Sequence, residues 1–207
     1  MQVDVCFPVK GETLPTDHCY LLYSALSHVV PAFHKGTVRL RFSSINGERG
    51  GKGLIQLVEH SRLRLRLPAE QIGLVLPLAG RPLPVGDHRI HLGIPTVAPL
   101  NPVPTLRAKV VTYKHAMDPA AFLQVTRQRL DAMGIGGEPG IPLFLSGTSA
   151  GKPRRQLIRI KGKAVVGFPL HIEGLTAEES LRLQEQGLGG RTRMGCGFFV
   201  PFRARVS

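Results

Sequence analysis

Two stretches of this chain carry side chains able to do chemistry on a phosphate. The first is "FHKG", where His34 stands beside Lys35 and Gly36. Histidine titrates near pH 6.5, so it both takes and gives protons at neutrality. A neighbouring lysine can neutralise an attacked phosphate. Seven other histidines compete, because the chain has 8 in all. The second stretch is "GLGGRTRMGCGFF", Gly187 to Phe199, with five glycines and two arginines. Glycine admits backbone shapes closed to other residues and lets an outside group approach closely. A loop of free N–H groups flanked by Arg191 and Arg193 can hold phosphate oxygens. A tight connection packed against the neighbouring helix would need the same glycines, so composition leaves both uses open.

Charge favours a polyanionic partner. Across 207 residues, 27 Lys and Arg face 14 Asp and Glu, a net charge of +13. Such a surplus attracts nucleic acid. No run of 18 apolar residues occurs, no basic amphipathic helix exposes an apolar face, and the N-terminus lacks a secretion-signal layout, so no membrane role is expected. Cys6, Cys19 and Cys196 are an odd three without a CxxC pair, which fits a reducing cytoplasm.

Several tempting motifs fail on spacing. "GTSAGKP" (Gly147 to Pro153) and "GERGGKG" (Gly47 to Gly53) imitate a nucleotide-binding P-loop, but the first glycine is one residue too close. In the former, Pro153 stands where Ser or Thr should hold magnesium. His88 and His91 have H-x-x-H spacing on a strand, where they point to opposite faces, and no second ligand pair follows. No carboxylate cluster suggests two-metal catalysis. Neither a metal nor an organic cofactor is expected.

The elements that must position these residues come in two similar runs. Val3 to Val9 predicts a strand, and Pro15-Thr16-Asp17 a helix start. Leu22, Ala25, Leu26 and Val29 then repeat at helical spacing until Pro31. "TVRLRF" and "SRLRLRL" alternate leucine-type and arginine positions, predicting half-buried strands with an arginine face. "PAEQIGLVLPL" predicts a short helix and "HRIHLG" a closing strand. Residues 98–105 hold three prolines and are expected to link a domain over 1–97 to another over 106–207. The second run gives a strand from Leu106 and a helix capped by Asp118 with Pro119 in its first turn. A mobile loop over 134–153 and a hairpin turning near Gly162 follow. Thr176 and Glu179 form a capping box, Gly187 stops that helix, and "CGFFVPF" is the last strand. Two β-α-β-β-α-β orders predict an α+β chain of tandem ferredoxin-like domains.

The terminal "GLGGRTRMGCGFFVP" resembles the C-terminal glycine-rich signature of the CRISPR repeat-processing endoribonucleases of the Cas-six type. "LTAEESLRLQEQ" fits the helix leading into it. "LPTDHCYLLYSALSHVVPAFHKG" resembles their first helix and the histidine segment after it, and "IKGKAVVGF" their late hairpin. The details look most like the branch first described in myxobacterial-type loci. The resemblance covers nearly the whole chain, with 134–153 least covered. It implies a double ferredoxin-like fold that binds the stem-loop repeat of a precursor CRISPR RNA, cuts at the base of the stem, and often keeps the product. It implies a metal-free reaction in which the ribose 2′-OH attacks the adjacent phosphorus. The products are a 2′,3′-cyclic phosphate and a 5′-hydroxyl. The signature does not by itself separate nucleases from inactive RNA-binding subunits of CRISPR effector complexes, so both stay open. Partnership with other effector subunits is compatible with either, and the expected state is a monomer or weak dimer.

That reaction needs a base for the 2′-OH, an acid for the leaving oxygen, and positive charge at phosphorus. The family often carries its histidine where His34 stands, so His34 with Lys35 is the first candidate. His28, at the edge of the first helix's polar face, is the challenger, because some members keep their histidine inside this helix. His18 is expected to be structural. Tyr20 and Tyr23 are expected to pack over the sheet, with ribose positioning as the other use; Ser24 and Ser27 are possible helpers. RNA contact is expected from Arg39 and Arg41 on the strand after His34 and from Arg49 and Lys52 in "NGERGGKG". It is also expected from Arg154, Arg155, Lys161 and Lys163 around the late hairpin, and from Arg127 and Arg129 on the second-half helix. The glycine stretch adds Gly187, Gly189, Gly190, Arg191, Arg193, Gly195 and Gly197. Tryptophan is absent, which favours a reader of RNA shape and backbone over a stacking-dominated binder.

Overall fold

Strand β1 (Gln2–Lys10) alternates: Val3, Val5, Phe7 and Val9 are all buried. In the computed structural model, which describes residues 1–35 and 40–202, this face meets a matching one. β2 (Thr13–Pro15), helix α1 (Cys19–Val29), the single turn α2 (Ala32–Lys35) and β3 (Arg41–Phe42) come next in the chain. β4 (Glu48–Gly51), β5 (Leu54–Gln56) and β6 (Arg62–Pro68) follow. β6 pairs antiparallel with β1, setting Leu67, Leu65 and Leu63 opposite Val3, Val5 and Phe7. Period-two burial on both strands fixes that register, because a one-residue slip would turn every leucine outward. β7 (Pro82–Val85) and β8 (His88–Leu92) form a hairpin at the far end of β1, and β9 (Thr96–Pro99) lies along the other edge of β1. The order β3-β6-β1-β9 is the antiparallel 2-3-1-4 order of a ferredoxin-like sheet. β2, β5 and β4 make a small separate sheet. Helix α1 buries Leu22, Ala25 and Leu26 in the same core as Phe7, Phe42 and Leu65.

The second half repeats the plan. β10 (Leu106–Val111), α3 (Pro119–Ala132), β11 (Glu138–Gly140), β12 (Gln156–Ile160), β13 (Lys163–Glu173), α4 (Ala177–Gln186) and β14 (Phe199–Pro201) follow in order. The sheet runs β11-β13-β10-β14, again 2-3-1-4, with β12 on the same edge of β13 as β11. Asp118 accepts from the Ala121 N–H at 2.9 Å and caps α3. Thr176 and Glu179 close the capping box of α4. Phe122 and Phe168 meet with ring centroids 4.7 Å apart in the core with Leu130, Leu183 and Phe199. The fold is a tandem of ferredoxin-like domains. Contacts divide the chain into Met1–Leu100 with Arg193–Gly195, and Asn101–Thr192 with the segment from Cys196. Among the described residues no helix is long and apolar enough to cross a membrane.

Local expectations needed correcting at five places. Helix α1 begins at Cys19, after His18, rather than at residues 15–17. The expected helix near 68–78 is a pair of 3-10 turns, Ala69–Leu74 and Leu76–Leu78, because Gly73 and Pro77 interrupt α-helical bonding. Ala98 and Pro99, read as the start of the linker, pair with Asp4 and Val3. Pro99 is tolerated there because β9 is an edge strand. The 134–153 stretch is not a bare loop: Glu138–Gly140 completes the edge of β13, and Phe144 and Lys152 bond across the turn. Lastly, the arginine face of the first sheet is not solvent-facing throughout. Arg66 is 0% exposed and forms a two-pronged pair with Asp4 at 2.7 and 2.9 Å.

Candidate active site and nucleic-acid interface

The turn after α1 sets up the histidine segment. Val30 closes the helix by donating its N–H to the Leu26 carbonyl, and Pro31 prevents continuation. The His34 N–H bonds back to the Pro31 carbonyl at 3.0 Å. Phe33 is buried in the core while His34, the next residue, is exposed. One anchored aromatic thus holds the imidazole at the surface. Tyr23, half-buried on α1 and packed against the core, puts its Oη 3.5 Å from His34 Nδ1. That is the long limit of a hydrogen bond. A Nδ1–H facing the tyrosine oxygen leaves Nε2 free to accept a proton; the opposite tautomer lets Nε2 donate one. Both of the uses that the sequence leaves open for Tyr23, packing over the sheet and reaching the site, are compatible with this position. Lys35 is the last residue of α2.

The other histidines separate by their surroundings. His18 is fully buried, with Nδ1 2.7 Å from the Pro15 carbonyl and Nε2 accepting from the Ile45 N–H at 2.9 Å. Both nitrogens are used in holding the chain. His28 is exposed in the last turn of α1. No hydrogen bond joins it to His34 or Tyr23 among the described residues. His88 lies 3.1 Å from Thr13 Oγ1, and His91 is exposed.

The expected RNA-binding cations divide into exposed and buried. Arg41 is only 8% exposed and lies opposite Arg66 in the β3–β6 register, so it is buried where an exposed arginine is expected. Arg39 lies outside the described residues. Arg49 lies on β4 and Lys52 in the turn to β5; both are exposed, on a hairpin where a loop was expected. Arg154, Arg155, Lys161 and Lys163 are exposed. Lys161 and Gly162, with φ of 50° and 76°, form the two-residue turn between β12 and β13. Arg127 is held within its own domain by Asp131 and by the carbonyls of Gly137 and Ile135. Arg129 is exposed.

The glycine stretch does less with bare amides than its composition implied. The N–H groups of Gly187, Gly190 and Gly197 donate to the carbonyls of Leu183, Thr112 and Val110 at 2.8, 2.9 and 2.8 Å. Gly195 and Gly197 are buried. A Cβ on Gly197, at φ 63°, would collide with the Leu188 carbonyl oxygen. These glycines make room for the chain itself. The exposed part is Gly189, Gly190, Arg191 and, beyond it, Arg193.

A family model described as Cas6 of CRISPR systems matches residues 3–204. The CRISPR-associated endonuclease Cas6 of Myxococcus xanthus (strain DK1622) is 44% identical over 199 residues, which span 96% of this chain and 81% of that protein. A solved CRISPR-associated protein Cas6 superposes with a TM-score of 0.66 at 15% identity, over 98% of this chain and 99% of the other. A RAMP protein described as binding different RNA substrates gives 0.66 at 14% identity, over 98% and 100%. The product of a Cas6-related gene from Pyrococcus furiosus gives 0.60 at 17%, over 96% and 97%. These structural likenesses speak for the shared fold. With its matched residues running from the first strand to the last, the chain belongs to the Cas6 family of CRISPR systems.

Proposed function

We propose that this protein is an endoribonuclease that cuts CRISPR repeat RNA within the precursor transcript. The observation that carries this is the surface placement of His34 on an anchored turn, with Tyr23 Oη 3.5 Å from its Nδ1. His34 accepts the 2′-OH proton through Nε2; the 2′-oxygen bonds to phosphorus as the bond to the 5′-oxygen breaks. Solvent water gives that oxygen its proton, and the imidazolium returns its own to solvent, leaving a 2′,3′-cyclic phosphate and a 5′-hydroxyl. Lys35, next in the chain, supplies positive charge to the phosphorane-like transition state. No metal enters. Acid–base work of this kind contributes roughly 10²–10⁴-fold per role. The exposed hairpin cations hold the stem and retain the product.

The test is cleavage of the repeat RNA of the protein's own locus in EDTA. Discrete fragments should form, and a 2′-deoxy sugar just upstream of the cut should abolish them. His34→Ala should slow cutting far more than binding. Parental cutting by that variant would move the role to His28, with His28→Ala as the next measurement. Tight binding with no fragments in any buffer would make the chain a non-catalytic RNA-binding subunit.

A further inference from the structure

A cavity of about 500 Å³ opens in the second domain, between the C-terminal ends of α3 and α4 and the end of β10. Lys114, Arg129 and Arg191 line it, and no carboxylate does. None of the three is in a salt bridge among the described residues, whereas Arg127, two positions from Arg129, is fully occupied within its domain. Three like charges around one cavity repel unless something answers them.

The helix ends answer part of this. Each C-terminus carries roughly −0.5 of a charge, so two supply about −1 against +3. The α3 end also has a separate cation: Arg182 donates to the Met133 and Gly134 carbonyls at 2.8 and 3.2 Å. The remaining charge suits an anion from outside. Arg191 also holds a φ of 58°, a conformation uncommon outside glycine. Such strain persists where surrounding structure enforces it and clusters at binding sites.

The rest of the lining favours a nucleotide over a bare anion. Tyr113 is among the lining residues, and its ring packs against Phe122, 5.1 Å away by centroids. Gly189 and Gly190, both exposed, line the cavity without side chains. The volume is in the range of small-ligand sites, roughly 300–1,000 Å³.

We propose that this cavity receives one unpaired nucleotide of the bound RNA, its phosphate held by Lys114, Arg129 and Arg191 and its base or ribose against Tyr113. The site rests on the RNA-binding role proposed above and adds a place for single-stranded sequence beside the stem.

The test compares full-length protein with its Arg129→Ala and Lys114→Ala variants, on the repeat hairpin with and without single-stranded flanks. Each variant should bind the flanked RNA about tenfold more weakly, the loss of one charged hydrogen bond. Its salt slope should fall by about 0.7, one single-strand phosphate contact. Hairpins without flanks should bind the variants and the parent alike. A 4-thiouridine in the flank should crosslink to the peptide containing Tyr113 in the parent. Unchanged affinity and slope in both variants would overturn the proposal, as would equal losses on flanked and unflanked hairpins. Flank-specific losses in a protein that never cuts would sustain the cavity while removing the nuclease; a protein that cuts with parental flank affinity in both variants would do the reverse.

Discussion

Asp4 and Arg66 form a two-pronged ion pair, at 2.7 and 2.9 Å, with the arginine wholly buried in the first sheet. Arg64, 3.9 Å from the same carboxylate, remains partly exposed. Removing one partner of a buried pair strands the other's charge in a poor solvent, at a cost of about 3–5 kcal/mol. Asp4→Ala should therefore lower the urea midpoint strongly. The double variant with Arg66→Met should recover much of the loss, because an apolar pair leaves no charge stranded. Equal instability of the single and double variants would mean the pair is not the source.

Tyr23 and His34 give a second contrast. Tyr23→Phe keeps the ring that packs on the core and deletes only the hydroxyl 3.5 Å from the imidazole. If that oxygen orients His34, single-turnover cleavage should drop about tenfold, the worth of one hydrogen bond. RNA affinity and thermal midpoint should stay as in the parent. Parental cleavage would leave Tyr23 as a packing residue alone.

Glu179 ties stability to pH. Its carboxylate accepts the backbone N–H of Gly136 and of Thr176, and these bonds, aided by the Thr176 side chain and Arg182, hold it below the ordinary value of 4.5. A depressed carboxylate stabilises the fold above its unfolded value and loses that contribution as pH falls through the folded one. Glu179→Gln has no such charge. In urea titrations the parent should exceed the variant most at neutral pH, and the gap should shrink below about pH 4.5. A gap independent of pH would show that the charge adds nothing.

Much of the architecture was legible because it follows from periods and caps. Leu63, Leu65 and Leu67 alternate as a sheet core requires, and Asp118, Thr176 and Glu179 cap the helices their types promised. Alternation reports which residues share a face, not what covers that face. Alternation therefore predicts Arg41 and Arg66 on an arginine face, and both are buried. Likewise the one-turn step from α1 to α2, which brings Tyr23 to His34 across eleven positions, leaves no spacing signature. The glycine stretch is ambiguous for a related reason: a glycine needed for inward contact and one needed for an outside ligand are the same letter.

Gly190 and Gly197 separate those two uses. Gly197 holds φ 63° and abuts the Leu188 backbone, so Gly197→Ala meets both backbone strain and a clash that no side-chain movement relieves. Together these should cost roughly 2–5 kcal/mol and lower the thermal midpoint. Gly190 is exposed, its φ is ordinary, and an added Cβ would come no nearer than 3.6 Å to the Thr112 carbonyl. Gly190→Ala should fold as the parent does. If the transcript lies against this part of the stretch, the new methyl group should weaken RNA binding at an unchanged midpoint, read side by side by anisotropy and calorimetry. Parental affinity in Gly190→Ala would mean that the glycines serve the packing of the chain and that RNA is held by the arginines and the hairpin.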